Sequence, residues 1–291
     1  MEQALKHIRK EHYDAIIVEN RPGFVLKLKK QTNSKLILHL HNDFLNLNTR
    51  EAKYIFDGFD GIVSVSEYIT RRIQEISPDA IKCKTVHNAI DWQQFHTATA
   101  TQRGTLGLSE KDFVIVYSGR LTKEKGIRQL IQTIKQLPDI PHLRLLIIGA
   151  SSYGKDMHPT SFIHQLEQEA APIREKVVFT GFIDYRRMPS CLKSADVAVI
   201  PSMWEEPFGL TVVEAMAAGL PLVTTRSGGI PEICEGVATI VDRANIVDHL
   251  ANAILDLYQH PEKRTKMAAA SLERSKLFDK EIYAKNYFNA L

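Results

Sequence analysis

Two glutamates bracket one short run in the last third of the chain, Glu206-Pro207-Phe208-Gly209-Leu210-Thr211-Val212-Val213-Glu214. The Pro/Gly turn feeds a helix that starts at Leu210. Its first backbone N–H groups lack intrahelical partners and carry partial positive charge, and here they stand beside two carboxylates. Such a place suits a ligand that carries both an anion and sugar hydroxyls. Glu214 is within reach of a vicinal diol such as a ribose, and Glu206 sits before the turn at the same pocket. Without a ligand, Glu214 would be a helix-dipole partner and Glu206 a solvated loop acid. Neither explains why two large apolar residues, Trp204 and Phe208, flank the loop.

A second element, Ser118-Gly119-Arg120-Leu121-Thr122-Lys123-Glu124-Lys125-Gly126, follows a strand and precedes a helix. Gly119 allows a tight turn at the strand end. Arg120 and Lys125 then stand at the carboxyl end of a sheet, where α/β folds bind ligands, and can clamp a diphosphate. The loop is not a Walker loop, and the chain has no Gly-x-Gly-x-x-Gly. A third element, Phe179-Thr180-Gly181-Phe182-Ile183, can form a slot for a planar base, although any strand exit with a Gly looks alike. A fourth is His39-Leu40-His41-Asn42-Asp43. Its His-x-His spacing invites a metal, but no acidic or Cys partner stands nearby at metal-site spacing, so no metal is expected. His41 and Asn42 read as polar groups at a cleft mouth, His39 as a core or supporting histidine. Because no Asp-x-Asp pair occurs, charge on a leaving diphosphate falls to Arg120, Lys125 and the helix N-terminus.

These loops need strands to hold them. Short apolar runs, many rich in Val and Ile, alternate with amphipathic stretches, the pattern of α/β folds with buried parallel strands. The runs are Ala15–Glu19, Leu36–Leu40, Gly61–Ser66 and Lys84–His87, then Phe113–Ser118, Leu143–Gly149, Lys176–Thr180, Val197–Pro201, Leu220–Thr224 and Ala238–Val241. Helices are expected at Glu67–Ile76, Ile127–Gln136, Phe162–Ala170 and Leu210–Ala218. The small, polar stretch from Thr97 to Gly107 reads as a linker. Two Rossmann-like, doubly wound domains facing a cleft are therefore expected, residues 1–100 and 101–278. A final helix, 279–291, must bury Ile282, Tyr283, Tyr287 and Phe288 on its own domain or back across the cleft.

The 291 residues, 44% hydrophobic and 24% charged, fit about two globular domains. A net charge of +3 is too small to point to nucleic acid. Lys27, Lys29, Lys30 and Lys35 form a local basic cluster, read first as a solvated face and second as a peripheral contact with an anionic membrane. Three scattered cysteines, no signal-peptide core and no apolar run of membrane-spanning length imply a cytoplasmic protein.

Taken together, Glu206-Pro-Phe-Gly-Leu, Glu214-Ala, Gly219-x-Pro221, Ser118-Gly119-Arg120, Lys125-Gly126, Phe179-Thr-Gly181 and His87-Asn88-Ala-Ile-Asp91 resemble, in order, the motifs of the retaining GT-B glycosyltransferases of family 4. The stretches Pro201–Glu206 and Thr225–Glu232 look like those of bacterial envelope-polysaccharide or spore-coat members. The resemblance implies sugar transfer from a nucleotide-sugar donor, with retention, without metal and without a resident cofactor. It implies that Arg120 and Lys125 bind the diphosphate and Glu214 the ribose. Glu206, with the backbone N–H groups of Phe208, Gly209 and Leu210, would hold the donor sugar, and Phe182 and Ile183 would border the base. His41 matches the histidine that reaches the donor sugar. Front-face attack, with the leaving phosphate taking the acceptor proton, needs no protein nucleophile. A UDP-sugar is favoured as donor, and a glycan or lipid-linked glycan as acceptor.

One departure stands out. The family opens with a strand and a Gly-rich loop, whereas no Gly precedes Gly23 here and the chain begins in helical sequence, Glu2–Glu11. The first domain is expected to be incomplete, with an edge to be covered by a dimer or a companion chain. Two alternatives follow: a nucleotide-sugar-binding or structural envelope protein with little transferase activity, and a nucleotide-sugar epimerase on the same fold.

Overall fold

A computed structural model describes residues 2–77, 80–151 and 160–291. It contains two parallel sheets. The first joins β1 (Ala15–Glu19), β2 (Lys35–Leu40), β3 (Gly61–Ser64) and β4 (Cys83–Thr85), in that spatial order. The second contains β5 (Phe113–Ser118), β6 (Leu143–Ile148), β7 (Val177–Gly181), β8 (Val197–Ile200), β9 (Leu222–Thr225) and β10 (Thr239–Val241), in the order β10-β9-β8-β5-β6-β7. Every expected strand is present; β1 and β5 keep their expected bounds, and the others shift at one or both ends by a residue or two. One end has a clear cause. Ser66 caps the helix Glu67–Gln74, its Oγ accepting from the Ile69 N–H at 3.1 Å, so β3 stops at Ser64.

The chain divides into two compact units, one up to Asn88 together with Glu281–Leu291, the other Ala89–Lys280. Residues 89–100, expected in the first domain, thus belong to the second. The physical reason is packing. Phe95 is fully buried and meets the Tyr185 ring edge-on at 5.9 Å. The Thr101 N–H donates to Ser190 O at 2.9 Å, and the Lys193 ammonium donates to His96 O at 2.6 Å. Small polar residues that look like a linker are here tied down by their backbone groups.

In the first unit one face of the sheet packs its buried Val18, Leu36, Leu38 and Leu40 against Val25, Phe56, Ile69 and Ile73 of the crossover segments. Ile37, Val63 and Val86 form a separate cluster, and the last helix, Lys280–Ala290, packs Tyr283 and Tyr287 onto it. Its other two expected core residues are corrected: Ile282 is exposed and Phe288 is 81% exposed. The tyrosines are four residues apart and share a face, which Ile282 and Phe288 do not.

In the second unit the chain runs outward from β5 through β6 and β7. It then returns to place β8 on the other side of β5. The strand order therefore reverses between β5 and β8, the position where open α/β sheets form a ligand crevice at the carboxyl ends. The helix Leu210–Ala217 follows β8 and buries every residue from Val212 to Ala217. A helix buried on all sides past its first turn, one carboxylate included, is held by its surroundings. Two long helices that carried no motif, Ile246–Gln259 and Pro261–Ser275, also belong to this unit, with Leu250, Ile254 and Leu257 in its core. No helix among the described residues is long and apolar enough to cross a membrane.

Candidate active site

The loops after β5 and β8 meet at the reversal point. The Lys125 ammonium donates to Glu206 Oε1 at 2.6 Å, and the Ser202 hydroxyl donates to the same oxygen at 2.6 Å. Glu206 is only 6% exposed. It is not a solvated loop acid but a buried carboxylate with a cation and a hydroxyl on one oxygen. Lys125 also lies over the Trp204 ring, 5.1 Å from its centroid, a favourable cation–π placement.

Backbone approach fixes this geometry. The Met203 N–H donates to Glu124 O at 2.8 Å, joining the two loops. Gly126 has φ +73°, and a Cβ there would lie 1.8 Å from Pro201 O. Gly228, in the loop after β9, has φ +52°, and a Cβ there would lie 2.1 Å from Glu206 O. Only glycine lets these loops touch. The Gly229 N–H donates to Glu206 O at 2.8 Å, and the Gly228 N–H donates to Glu205 Oε2 at 2.6 Å. Arg243 pairs with Glu205. Three strand exits thus converge on Glu206.

Arg120 follows Gly119 and is half-buried; its carbonyl accepts from the fully buried Tyr117 hydroxyl at 2.8 Å. Burial, with the Glu206 charge next in size, raises the Tyr117 pKa, so this hydroxyl keeps its proton. Arg120 forms no ion pair among the described residues. Past Glu206, Pro207 and Phe208 are buried, and the Phe208 ring meets Phe278 edge-on at 5.8 Å. The Phe208 ring is thus core, and only its backbone can serve a ligand. Gly209, at φ +122°, starts the helix; Leu210 is exposed and Thr211 half-buried at its first turn.

Glu214 lies one turn further and is 7% exposed. Burial pushes its carboxyl up to about 7, against the opposing hydrogen bond from the Tyr185 hydroxyl. The Tyr185 pKa is raised in turn, by burial first and then by Glu214. Glu214 is not a helix-dipole partner, since it lies beyond the first turn. Tyr185 carried no motif, and its place three residues after Phe182 was the only available signal. It connects Glu214 to the segment that borders an open groove of about 670 Å³, lined by Phe182, Ile183, Asp184, Arg186 and Arg187. The structure therefore brings Lys125, Glu206 and the Leu210 helix together, and joins Glu214 to the Phe182–Ile183 segment.

His41 lies in the first unit, at the carboxyl end of β2. The β1–β2 register sets Glu19 opposite His39. Glu19 Oε1 is 3.2 Å from His39 Nδ1, and Glu19 Oε2 is 3.1 Å from His41 Nε2. Here is the acidic partner that spacing along the chain does not reveal, because strand pairing supplies it across 20 residues. His39 is buried, as expected, and that burial, with His41 beside it, holds its pKa below the ordinary value.

Residues 99–274 match the family described as Glycosyl transferases group 1. Spore coat protein SA of Bacillus subtilis is 32% identical over 283 residues, covering 91% of this chain and 74% of its own length. The chain belongs to the group 1 glycosyl transferases. The lipopolysaccharide 1,2-N-acetylglucosaminetransferase of Salmonella typhimurium is 25% identical over 84% of this chain and 65% of its own. Among solved structures, Anabaena Alr3699/HepE in complex with UDP superposes with a TM-score of 0.82 at 21% identity, over 99% of this chain and 80% of that one. Two parallel-sheet units of GT-B type are thus the fold.

Proposed function

We propose that this protein is a retaining glycosyltransferase that moves a sugar from a nucleotide-sugar donor, a UDP-sugar by preference, to a cell-envelope or polysaccharide acceptor. It uses neither a metal nor a resident cofactor in that transfer. The observation that carries the reading is the Lys125–Glu206 contact at the strand-order reversal, beside a helix N-terminus. Arg120 and Lys125 take the diphosphate, which releases Glu206 to hold sugar hydroxyls. The first-turn N–H groups at Gly209, Leu210 and Thr211 face the same ligand. Glu214 accepts from the ribose, and Phe182 and Ile183 border the base. Two relatives, a spore coat protein and a lipopolysaccharide sugar transferase, support an envelope acceptor. The UDP and UDP-glucose bound by the Anabaena protein support the donor base.

Neither acid is suited to be a nucleophile. Glu206 is held by Lys125 and Ser202, and Glu214 carries a raised pKa inside the protein. In the step that remains, the bond from the anomeric carbon to the diphosphate oxygen breaks. The acceptor oxygen bonds to that carbon on the same face, and the acceptor proton passes to the leaving phosphate. The test is nucleoside diphosphate release in the presence of acceptor. Glu206→Ala is expected to lower kcat by about 100-fold or more, the loss typical of removing a preorganised polar group. Unaltered turnover would sink the assignment.

A further inference from the structure

We propose that Ser202 is a positioning residue for the donor sugar, the group that keeps the Glu206 carboxylate in place once Lys125 has turned to the diphosphate. This role rests on the donor-site reading above. Glu206 is buried, and the Lys125 ammonium and the Ser202 hydroxyl both donate to its Oε1, each at 2.6 Å. A diphosphate that takes the ammonium removes the charged partner. A buried carboxylate left with no partner is strongly disfavoured. Ser202 is the partner that stays. With Oε1 pinned, Oε2 is the oxygen that meets the sugar hydroxyls.

The two partners differ in what anchors them. The ammonium ends a flexible four-carbon stem and its side chain is 21% exposed, so it can turn to a ligand. Ser202 has no such freedom. It follows β8 and is fully buried, and its carbonyl accepts the Thr225 hydroxyl at 2.6 Å and the Ser227 hydroxyl at 2.9 Å. Both of those residues are fully buried too, one ending β9 and the other in the loop after it. The Thr224 hydroxyl adds a further tie between the two strands, donating to Ile200 O at 2.8 Å. A serine has a single heavy-atom rotor, so a fixed backbone leaves its Oγ only three staggered positions. The one it occupies meets Glu206.

The rival role is loop closure alone. Ser202 and Glu206 are four residues apart, and their hydrogen bond also spans the loop that carries Trp204. Closure acts on the empty protein and on every ligand alike. Positioning acts only where the ligand carries a sugar, and this difference can be measured.

The experiment is calorimetry on the full chain with UDP-glucose, UDP-N-acetylglucosamine and GDP-mannose, each beside its parent diphosphate, UDP or GDP. Ser202→Ala removes the hydroxyl, while the Lys125 pair remains and keeps the free variant folded. It should weaken binding of the preferred nucleotide sugar by about 10-fold to 100-fold, the range for a hydrogen bond to a charged group, and leave the parent diphosphate within about twofold. Thr224→Val deletes a buried hydroxyl from the same strand pair. It should lower the melting temperature yet keep wild-type affinity for both ligands. Wild-type affinity for the nucleotide sugar in Ser202→Ala, or equal weakening of nucleotide sugar and diphosphate, overturns the proposal in favour of loop closure while the donor site stands. The same selective loss in Thr224→Val overturns it in favour of general loosening. Binding of no nucleotide sugar by wild type overturns the donor-site reading itself, and this role with it.

Discussion

The carboxyl ends of the two sheets gather polar side chains by different means. In the second unit, Lys125 and Glu206 come from loops 81 residues apart, locked by glycines that permit backbone contact. In the first, Glu19, His39 and His41 are set by the pairing of two neighbouring strands. The first arrangement leaves a trace in the sequence, because close backbone approach demands glycine at fixed places. The second leaves almost none, because any residue type can stand opposite any other in a parallel pair. A cluster of chemistry-bearing groups can therefore be conspicuous or silent depending on what holds it.

The comparison can be broken at several points. The largest expected effect follows Lys125→Ala. It removes the diphosphate cation and leaves Glu206 buried without its charge partner, which costs about 3 kcal/mol. Donor turnover should fall by about 100-fold or more, and the melting temperature should drop with it. If turnover holds, the loop contact is packing only.

Gly228→Ala tests the glycine lock itself. A Cβ there meets Glu206 O at a positive φ, so the loop must move, at a cost of about 2 kcal/mol read as a lower melting temperature. An unchanged melting temperature would show that the loops are not locked. The matching change in the first unit, Gly23→Ala, meets nothing within 4 Å and should be nearly silent.

Tyr185→Phe is smaller. Loss of its hydrogen bond to Glu214 should cost about 1 kcal/mol and raise the Glu214 pKa beyond about 7. The pH dependence has a definite sign. The folded carboxyl, at about 7, keeps its proton where the unfolded one, at 4.5, has lost it. The folded state therefore binds more protons between these values, and this group's contribution to stability falls as pH rises from about 4.5 to 7, then levels. Glu214→Gln removes that penalty. Its melting temperature should gain on wild type between pH 5 and pH 8, and a constant difference would contradict the burial.

Much of this was legible beforehand. β1 and β5 and the helix Ile127–Gln136 match their expected bounds, because buried parallel strands and strongly amphipathic helices have clear periods. The Gly-Arg and Glu-Pro-Phe-Gly loops were visible as strand exits. Four features were not. Thr97–Gly107 looked like a linker because composition does not show that its backbone groups bond Ser190 and Ser194. Phe208 looked like a ligand-side aromatic, although its partner Phe278 is 70 residues away and buried. Tyr185 and Ser202 were missed because a single hydroxyl has no pattern. Each is a tertiary contact, and local sequence carries no record of it.

The central claim is a nucleotide-sugar site at the β5–β8 reversal. Its most direct test is a thermal-shift panel of nucleotide sugars on wild type and Lys125→Ala. One nucleotide sugar should raise the wild-type melting temperature by mass action, a UDP-sugar first among them, and the rise should vanish in the variant. No rise with any nucleotide sugar, or an equal rise in Lys125→Ala, would contradict it.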